Sequence, residues 1–247
     1  MTTKLEQKVD SLEEKVQAYE RRENLDEKVQ QASGEIDEYN RELRKLNERI
    51  ADLAHFTAVL QDVFDQDIPE SVIEVRSDID RITDRRQQDI LELVRNEDLA
   101  EKRREVRNAQ EEIKDATNEL QSELQEIQTD WEQRISTARS VLKIAGSDRS
   151  FESTLDRVEI LITQNIWKTS EGIESLNSRW KDLKQDWDKE GVDWESFQRD
   201  HGLNNKTIEV LQKLSKGETV QVGNVDSEVL SDIGQVEQLG DNINMTL

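Results

Sequence analysis

The sequence predicts a mainly α-helical protein: a long antiparallel coiled coil or helical hairpin, a third long helix, and a small carboxyl-terminal α+β module. Three observations carry this expectation. Only 33% of the 247 residues are hydrophobic while 36% are charged, a balance that suits helices burying a narrow stripe better than one compact core. Apolar residues recur in steps of three and four over long tracts, and the single proline stands where two such tracts meet. After Gly191 the long tracts give way to short segments with helix-capping signals.

The first helix is expected within 1–66. From Leu25 its seam runs Val29, Ala32, Ile36, Tyr39, Leu43, Leu46, Ile50, Leu53, Thr57 and Leu60, a sustained heptad pattern. Upstream, Leu5, Val9, Leu12, Val16 and Tyr19 obey the same rule but are out of phase by one residue, so a slip falls at Arg21 to Asn24. Ser33 and Gly34 read as an exposed flaw in a continuous helix, because the seam keeps phase across them. The segment DQDIPES then predicts the hairpin tip, with Pro69 in the first turn of the next helix.

The second helix is expected within 67–145, with a kink at Arg95 to Ala100 where the phase is poor. Its later half steps through Ile113, Ala116, Leu120, Leu124, Ile127, Trp131, Ile135, Ala138 and Leu142, an eleven-residue period that removes left-handed supercoiling. GSDRS marks a turn. A third helix within 146–190 follows, with the seam Phe151, Leu155, Val158, Ile162, Ile166, Thr169, Ile173, Leu176, Trp180, Leu183 and Trp187. Trp180 and Trp187 are thus read as seam residues rather than an aromatic platform.

The region 191–247 reads as a docking module of order helix, helix, strand, helix, strand. Asp193, Asn204 and Asp226 each precede a helix and are flanked by a hydrophobic staple, while Gly202, Gly217 and Gly234 can close the three helices. Strands are expected at Glu218 to Val222 and Ile243 to Leu247. Trp194, Phe197 and Leu230 are the expected protein-interaction residues, with Trp194 anchoring the module to the coiled coil.

The formal net charge of −22, from 34 basic and 56 acidic residues, disfavours nonspecific binding to nucleic acid or anionic membrane. It also fits a halophilic, high-salt cytoplasm, where the repulsion is screened. No apolar run approaches a membrane span and MTTKLEQKVD lacks the apolar core of a signal peptide, so a cytoplasmic location is expected. Without cysteine there is neither a disulfide nor a thiolate nucleophile.

Catalytic patterns are missing. There is no GxxxxGK[ST] and no GxGxxG, and the only histidines, His55 and His201, lie in separate regions. His55 is expected to be solvated and His201 to suit a helix carboxyl terminus. The pairs Glu13/Glu14 and Glu111/Glu112 read as solvated faces rather than acid–base dyads. No catalytic residue, cofactor or metal is expected, and the chain is read as non-enzymatic.

The most basic stretch, Arg76 to Arg107, sets nine basic against nine acidic residues and reads as an ion-pair-laced coil surface, with Asp98/Lys102 and Glu101/Arg104 at pairing distance. Its alternative is nucleic-acid contact through Arg85, Arg86, Arg103 and Arg104, within Arg81 to Arg107. A seam alone is satisfied equally by an intramolecular hairpin and by a parallel dimer, so a homo-oligomer stays open.

Three resemblances remain. SLNSRWKDL, Ser175 to Leu183, resembles the tryptophan-bearing helix of spectrin-type repeats over nine residues. The order of the terminal module resembles a reduced winged helix, although no basic residue follows Lys216 and Glu228 and Asp232 lie on the would-be recognition helix. The tail TIEVLQKLSKGETVQVGNVDSEVLSDIGQVEQLGDNINMTL is similar to small modules that follow coiled coils in large P-loop ATPases of prokaryotic phage-exclusion (BREX-like) systems. That resemblance implies an accessory or scaffold subunit working beside such an ATPase.

Overall fold

The structure, a computed structural model, describes residues 4–84, 99–146, 149–190 and 192–235. They form eight α-helices: α1 (Lys4–Ala58), α2 (Glu70–Asp84), α3 (Leu99–Ala145), α4 (Arg149–Ile160), α5 (Ile173–Glu190), α6 (Trp194–His201), α7 (Asn205–Ser215) and α8 (Ser227–Gln235). Two five-residue π-helical segments, π1 (Val59–Val63) and π2 (Leu161–Asn165), extend α1 and α4. Among the described residues there is no strand. The chain is mainly α-helical as expected, and it divides into two units, one built from 1–53 and 69–117, the other from 54–68 and 118–247.

In the first unit, Tyr39, Leu46 and Leu53 of α1 and Val106, Ala109, Ile113 and Ala116 of α3 are buried, so one stripe on each helix is withdrawn from water. Polar groups fix how α1 and α3 align. Arg103 pairs with Glu38, Arg107 with Glu42, and Arg49 with both the Gln110 carbonyl and Glu111. The partners ascend together, so α1 and α3 run in the same direction here. The antiparallel hairpin lies instead across the turn at Gly146, where Arg139 of α3 meets Asp156 and Glu159 of α4, and Gln128 meets Trp167. Alternation of apolar residues specifies a seam but not the sense of the helix that fills it.

The second unit holds the core of Leu120, Leu124, Ile135, Leu155, Ile162, Leu176 and Leu183. Of the seam expected from Ile113 to Leu142, every residue is buried except Ile127, which is half-buried. The expected third helix is interrupted. The π2 segment closes with Ile166 N–H donating to the Leu161 carbonyl, a turn follows through Lys168 and Glu171, and α5 begins at Ile173. Thr169, expected in the seam, is exposed in this turn. Ser170 and Gly172 weaken helical propensity here, and the break happens to preserve the apolar phase, so periodicity alone does not reveal it.

The first helix ends as a π segment too: Phe64 N–H donates to the Val59 carbonyl, and Asp65 takes a left-handed φ of 55°. That conformation, which Asp tolerates better than most residues, turns the chain toward Pro69, just ahead of α2. Gly34 lies inside continuous α1, exposed, as the unbroken seam phase implied. The expected kink at Arg95 to Ala100 falls largely outside the described residues.

The terminal module consists of α6, α7 and α8. Asp193 accepts from Ser196 N–H at 2.6 Å and Asn204 from Thr207 N–H at 2.9 Å, each satisfying an orphan donor of the first turn. Gly202, at φ 64°, closes α6 in a Schellman turn, with Leu203 N–H reaching the Gln198 carbonyl. Two expectations differ from this. Gly234 lies within α8, which continues to Gln235. The strand expected at Glu218 to Val222 is irregular chain with one bridge residue, Gln221, leading into a 3-10 turn at Val222–Asn224. The second expected strand, at 243–247, lies outside the described residues.

Candidate interaction surfaces

Three regions could carry function: the tryptophan array of the second unit, the terminal module, and the amino-terminal part of α1. The array is continuous. Phe64 meets Trp180 at 5.1 Å between ring centroids, Trp180 meets Trp131 at 4.8 Å, Trp131 meets Trp187 at 5.2 Å, and Trp187 meets Phe151 at 5.7 Å. The first three contacts are edge-to-face, the geometry packed aromatic rings prefer, and the Arg134 guanidinium lies 5.0 Å from the Trp131 ring centroid. Trp131 and Trp180 are buried and Trp187 half-buried. The array is therefore a packed core joining the seams of α3 and α5.

Beside it, the π2 segment leaves carbonyls without their usual helical donors. The Trp167 indole N–H donates to the Ile162 carbonyl at 3.2 Å and to Gln128 Oε1 at 3.1 Å, and His55 Nε2 lies 3.0 Å from the Ile166 carbonyl. His55 is thus buried, at 7% exposure, and not solvated as expected. Its donor is consumed by an orphan carbonyl that sequence spacing could not place opposite it. His201 does end α6, exposed, with its ring tilted against Phe197 at 4.5 Å between centroids.

The terminal module has a core of Phe197, Leu203, Ile208 and Leu211 closed against Val141 and Ile144 at the end of α3, with Trp194 packed half-buried along it. Lys143 Nζ also donates to the Ser215 carbonyl at 2.9 Å. Phe197 is spent on this core, Trp194 sits edge-to-face on it at 6.0 Å, and Leu230 is half-buried on α8. Asp232 is not presented outward as a recognition helix would need: its carboxylate accepts from Asn204 Nδ2 at 2.6 Å and from Thr207 Oγ1 at 2.8 Å, tying α8 to the start of α7. Lys206 and Asp226 pair on the surface at 2.8 Å. That hydrogen bond and charge raise the Lys206 pKa and lower that of Asp226.

Of the alternative nucleic-acid residues, Arg85 and Arg86 lie outside the described residues. Arg103 is held by Glu38, and Arg104 is exposed. Lys102 pairs with Glu105, and its expected partner Asp98 lies outside the described residues. Glu111 is paired with Lys114 and Arg49, whose hydrogen bonds and charges, Lys114 foremost, lower its pKa, the wrong direction for a general acid at neutral pH.

The amino-terminal part of α1 is different in kind. Leu12 and residues 14–31 are exposed, and Leu12, Val16, Tyr19, Leu25 and Val29, the seam residues of this stretch, are each more than half exposed. Because of the one-residue slip these side chains form two short stripes about 100° apart around the continuous helix, Leu12, Val16 and Tyr19 in one and Leu25 and Val29 in the other. Exposed apolar groups of this sort mark an interaction surface. No helix among the described residues is long and apolar enough to cross a membrane. No family model matches the chain, and neither a curated protein nor a solved structure is detectably similar to it.

Proposed function

We propose that the protein is a non-enzymatic coiled-coil scaffold or spacer subunit of a larger cytoplasmic complex, working without a cofactor. The observation that carries this reading is the division of α1: its seam is packed from Tyr39 to Leu53 and bare at Leu25 and Val29, and the upstream tract of Leu12, Val16 and Tyr19 is bare as well. A helix of 55 residues is about 80 Å long at 1.5 Å per residue, enough to space bound partners while its packed part fixes orientation. The terminal module, with Trp194 and Leu230 at its half-buried margin, supplies a second docking element. The resemblance of its tail favours a large P-loop ATPase as the partner protein.

Two observations, one on the described residues and one on the sequence, weigh against the nucleic-acid alternative. Arg103, Arg107 and Lys102 are occupied by Glu38, Glu42 and Glu105, and a net charge of −22 opposes a phosphate backbone. Affinity purification of the full chain from its host, with mass-spectrometric identification, tests the reading. A stoichiometric protein partner whose retention requires residues 192–235 supports it, and a P-loop ATPase would name the process. A chain that copurifies with nothing, or that retains DNA in the host's salt, contradicts it.

A further inference from the structure

The bare stretch of α1 carries more than apolar residues. Heptad positions follow from the seam. Leu12 and Tyr19 fall at d and Val16 at a; after the one-residue slip, Leu25 falls at d and Arg22 and Val29 at a. The flanking g positions are then Lys15, Arg21 and Lys28, and the flanking e positions Glu13, Glu20 and Asp26. Residues 14–31 are all exposed. Every g here is basic and every e is acidic.

This arrangement discriminates between partners. In a parallel, in-register pair of helices, g of one chain approaches the following e of the other, which sets Lys15 against Glu20 and Arg21 against Asp26. In an antiparallel pair of copies, g faces g and e faces e, which brings like charges together along the whole seam. Valine at a with leucine at d further favours two strands over three or four. The pattern also stops where the chain covers itself. The next g positions are Glu35 and Glu42, and Glu42 is engaged by Gln110 and Arg107 of α3.

We propose that residues 12–31 of α1 form a parallel, in-register, two-stranded coiled coil with a second copy of the chain, the helix overwinding at Arg21 to Asn24 to bring its two short apolar stripes onto one seam, with Lys15–Glu20 and Arg21–Asp26 pairing across it. Arg22, the polar a residue at the slip, holds register at a cost in affinity. The biological use of this dimer rests on the scaffold reading, but the two fail separately. A monomeric chain that still captures a partner overturns the dimer alone, and a dimer that captures nothing overturns the scaffold alone.

Sedimentation equilibrium of the full chain, from about 1 to 100 µM, is the test. A reversible monomer–dimer equilibrium is expected. Leu25→Glu with Val29→Glu should weaken it at least tenfold with helicity unchanged, since both side chains are exposed. Lys15→Glu with Arg21→Glu should weaken self-association at low salt, and mixing with a Glu20→Lys, Asp26→Lys chain should restore it. Arg22→Leu should tighten it. Orientation is read separately: the chain has no cysteine, so Leu12→Cys introduces a single thiol that oxidises to a covalent dimer only if the two Leu12 positions face each other. A monomer at 100 µM, a dimer indifferent to the Leu25 and Val29 changes, or a dimer in which the Leu12→Cys thiols do not couple would each overturn the proposal.

Discussion

The two halves of α1 share a heptad pattern but meet opposite fates. Leu46 retains 1% of its exposure and Leu25 retains 65%. The difference lies in what surrounds the stripe. From Glu38 onward, acidic side chains meet Arg103 and Arg107 of α3, and Arg49 meets Gln110 and Glu111, so the chain's own helix completes the pairing. Between Leu12 and Val29 the flanking charges complement a copy of themselves. A hydrophobic stripe states that a face is to be covered; the charges beside it state by what.

The contrast can be broken most sharply by truncating one apolar residue in each half. Leu46→Ala should cost about 2–5 kcal/mol in urea unfolding, from lost transfer energy plus a cavity. At protein concentrations below dimerisation, Leu25→Ala should stay within about 0.5 kcal/mol of wild type. Equal losses would show that both halves are covered within one chain.

Next in size is the polar lock of the packed half. Gln110 donates to the Glu42 carbonyl at 2.8 Å and to its carboxylate at 3.2 Å from a buried position. Gln110→Ala should cost about 1–3 kcal/mol by leaving these groups unsatisfied. The same lock has a pH signature. The Gln110 hydrogen bond foremost, with Lys45 and Arg107, lowers the Glu42 pKa. Its stabilisation is therefore fully present above the ordinary carboxylate value and is lost as pH falls through the depressed folded value. Urea midpoints measured from neutral pH down to about 3 should fall less steeply in Glu42→Gln than in wild type; identical profiles would sever Glu42 from the lock.

At Gly34, between the two halves, the expected effect is small and of opposite sign. A Cβ added to Gly34 meets nothing within 4 Å, so Gly34→Ala should stabilise by about 0.5–1 kcal/mol through helix propensity. A loss would mean that the glycine serves a close approach absent from the packed half.

Much of this architecture was legible as pattern. The stripe from Ile113 to Leu142, the continuity across Gly34, the proline-initiated α2 and the caps at Asp193 and Asn204 all follow from local spacing and side-chain chemistry. What escaped was long-range or phase-neutral. His55 is buried because a carbonyl 111 residues away lacks a donor, and the turn between π2 and α5 leaves the apolar phase intact. The same-sense pairing of α1 with α3 is written in which charges meet, not in the stripe itself. Of the interaction residues, Trp194 was placed by its cap and spacing, while the engagement of Phe197 in the module's own core depends on Val141 and Ile144, far off in the chain.

Hydrogen–deuterium exchange along α1 at two protein concentrations, one below and one above dimerisation, tests the division of the seam most directly. Amides from Tyr39 to Leu53 should be protected equally at both, and those from Leu12 to Gln31 should gain protection only at the higher concentration. Protection of Leu12 to Gln31 that is independent of concentration, or its absence at both, would contradict the account.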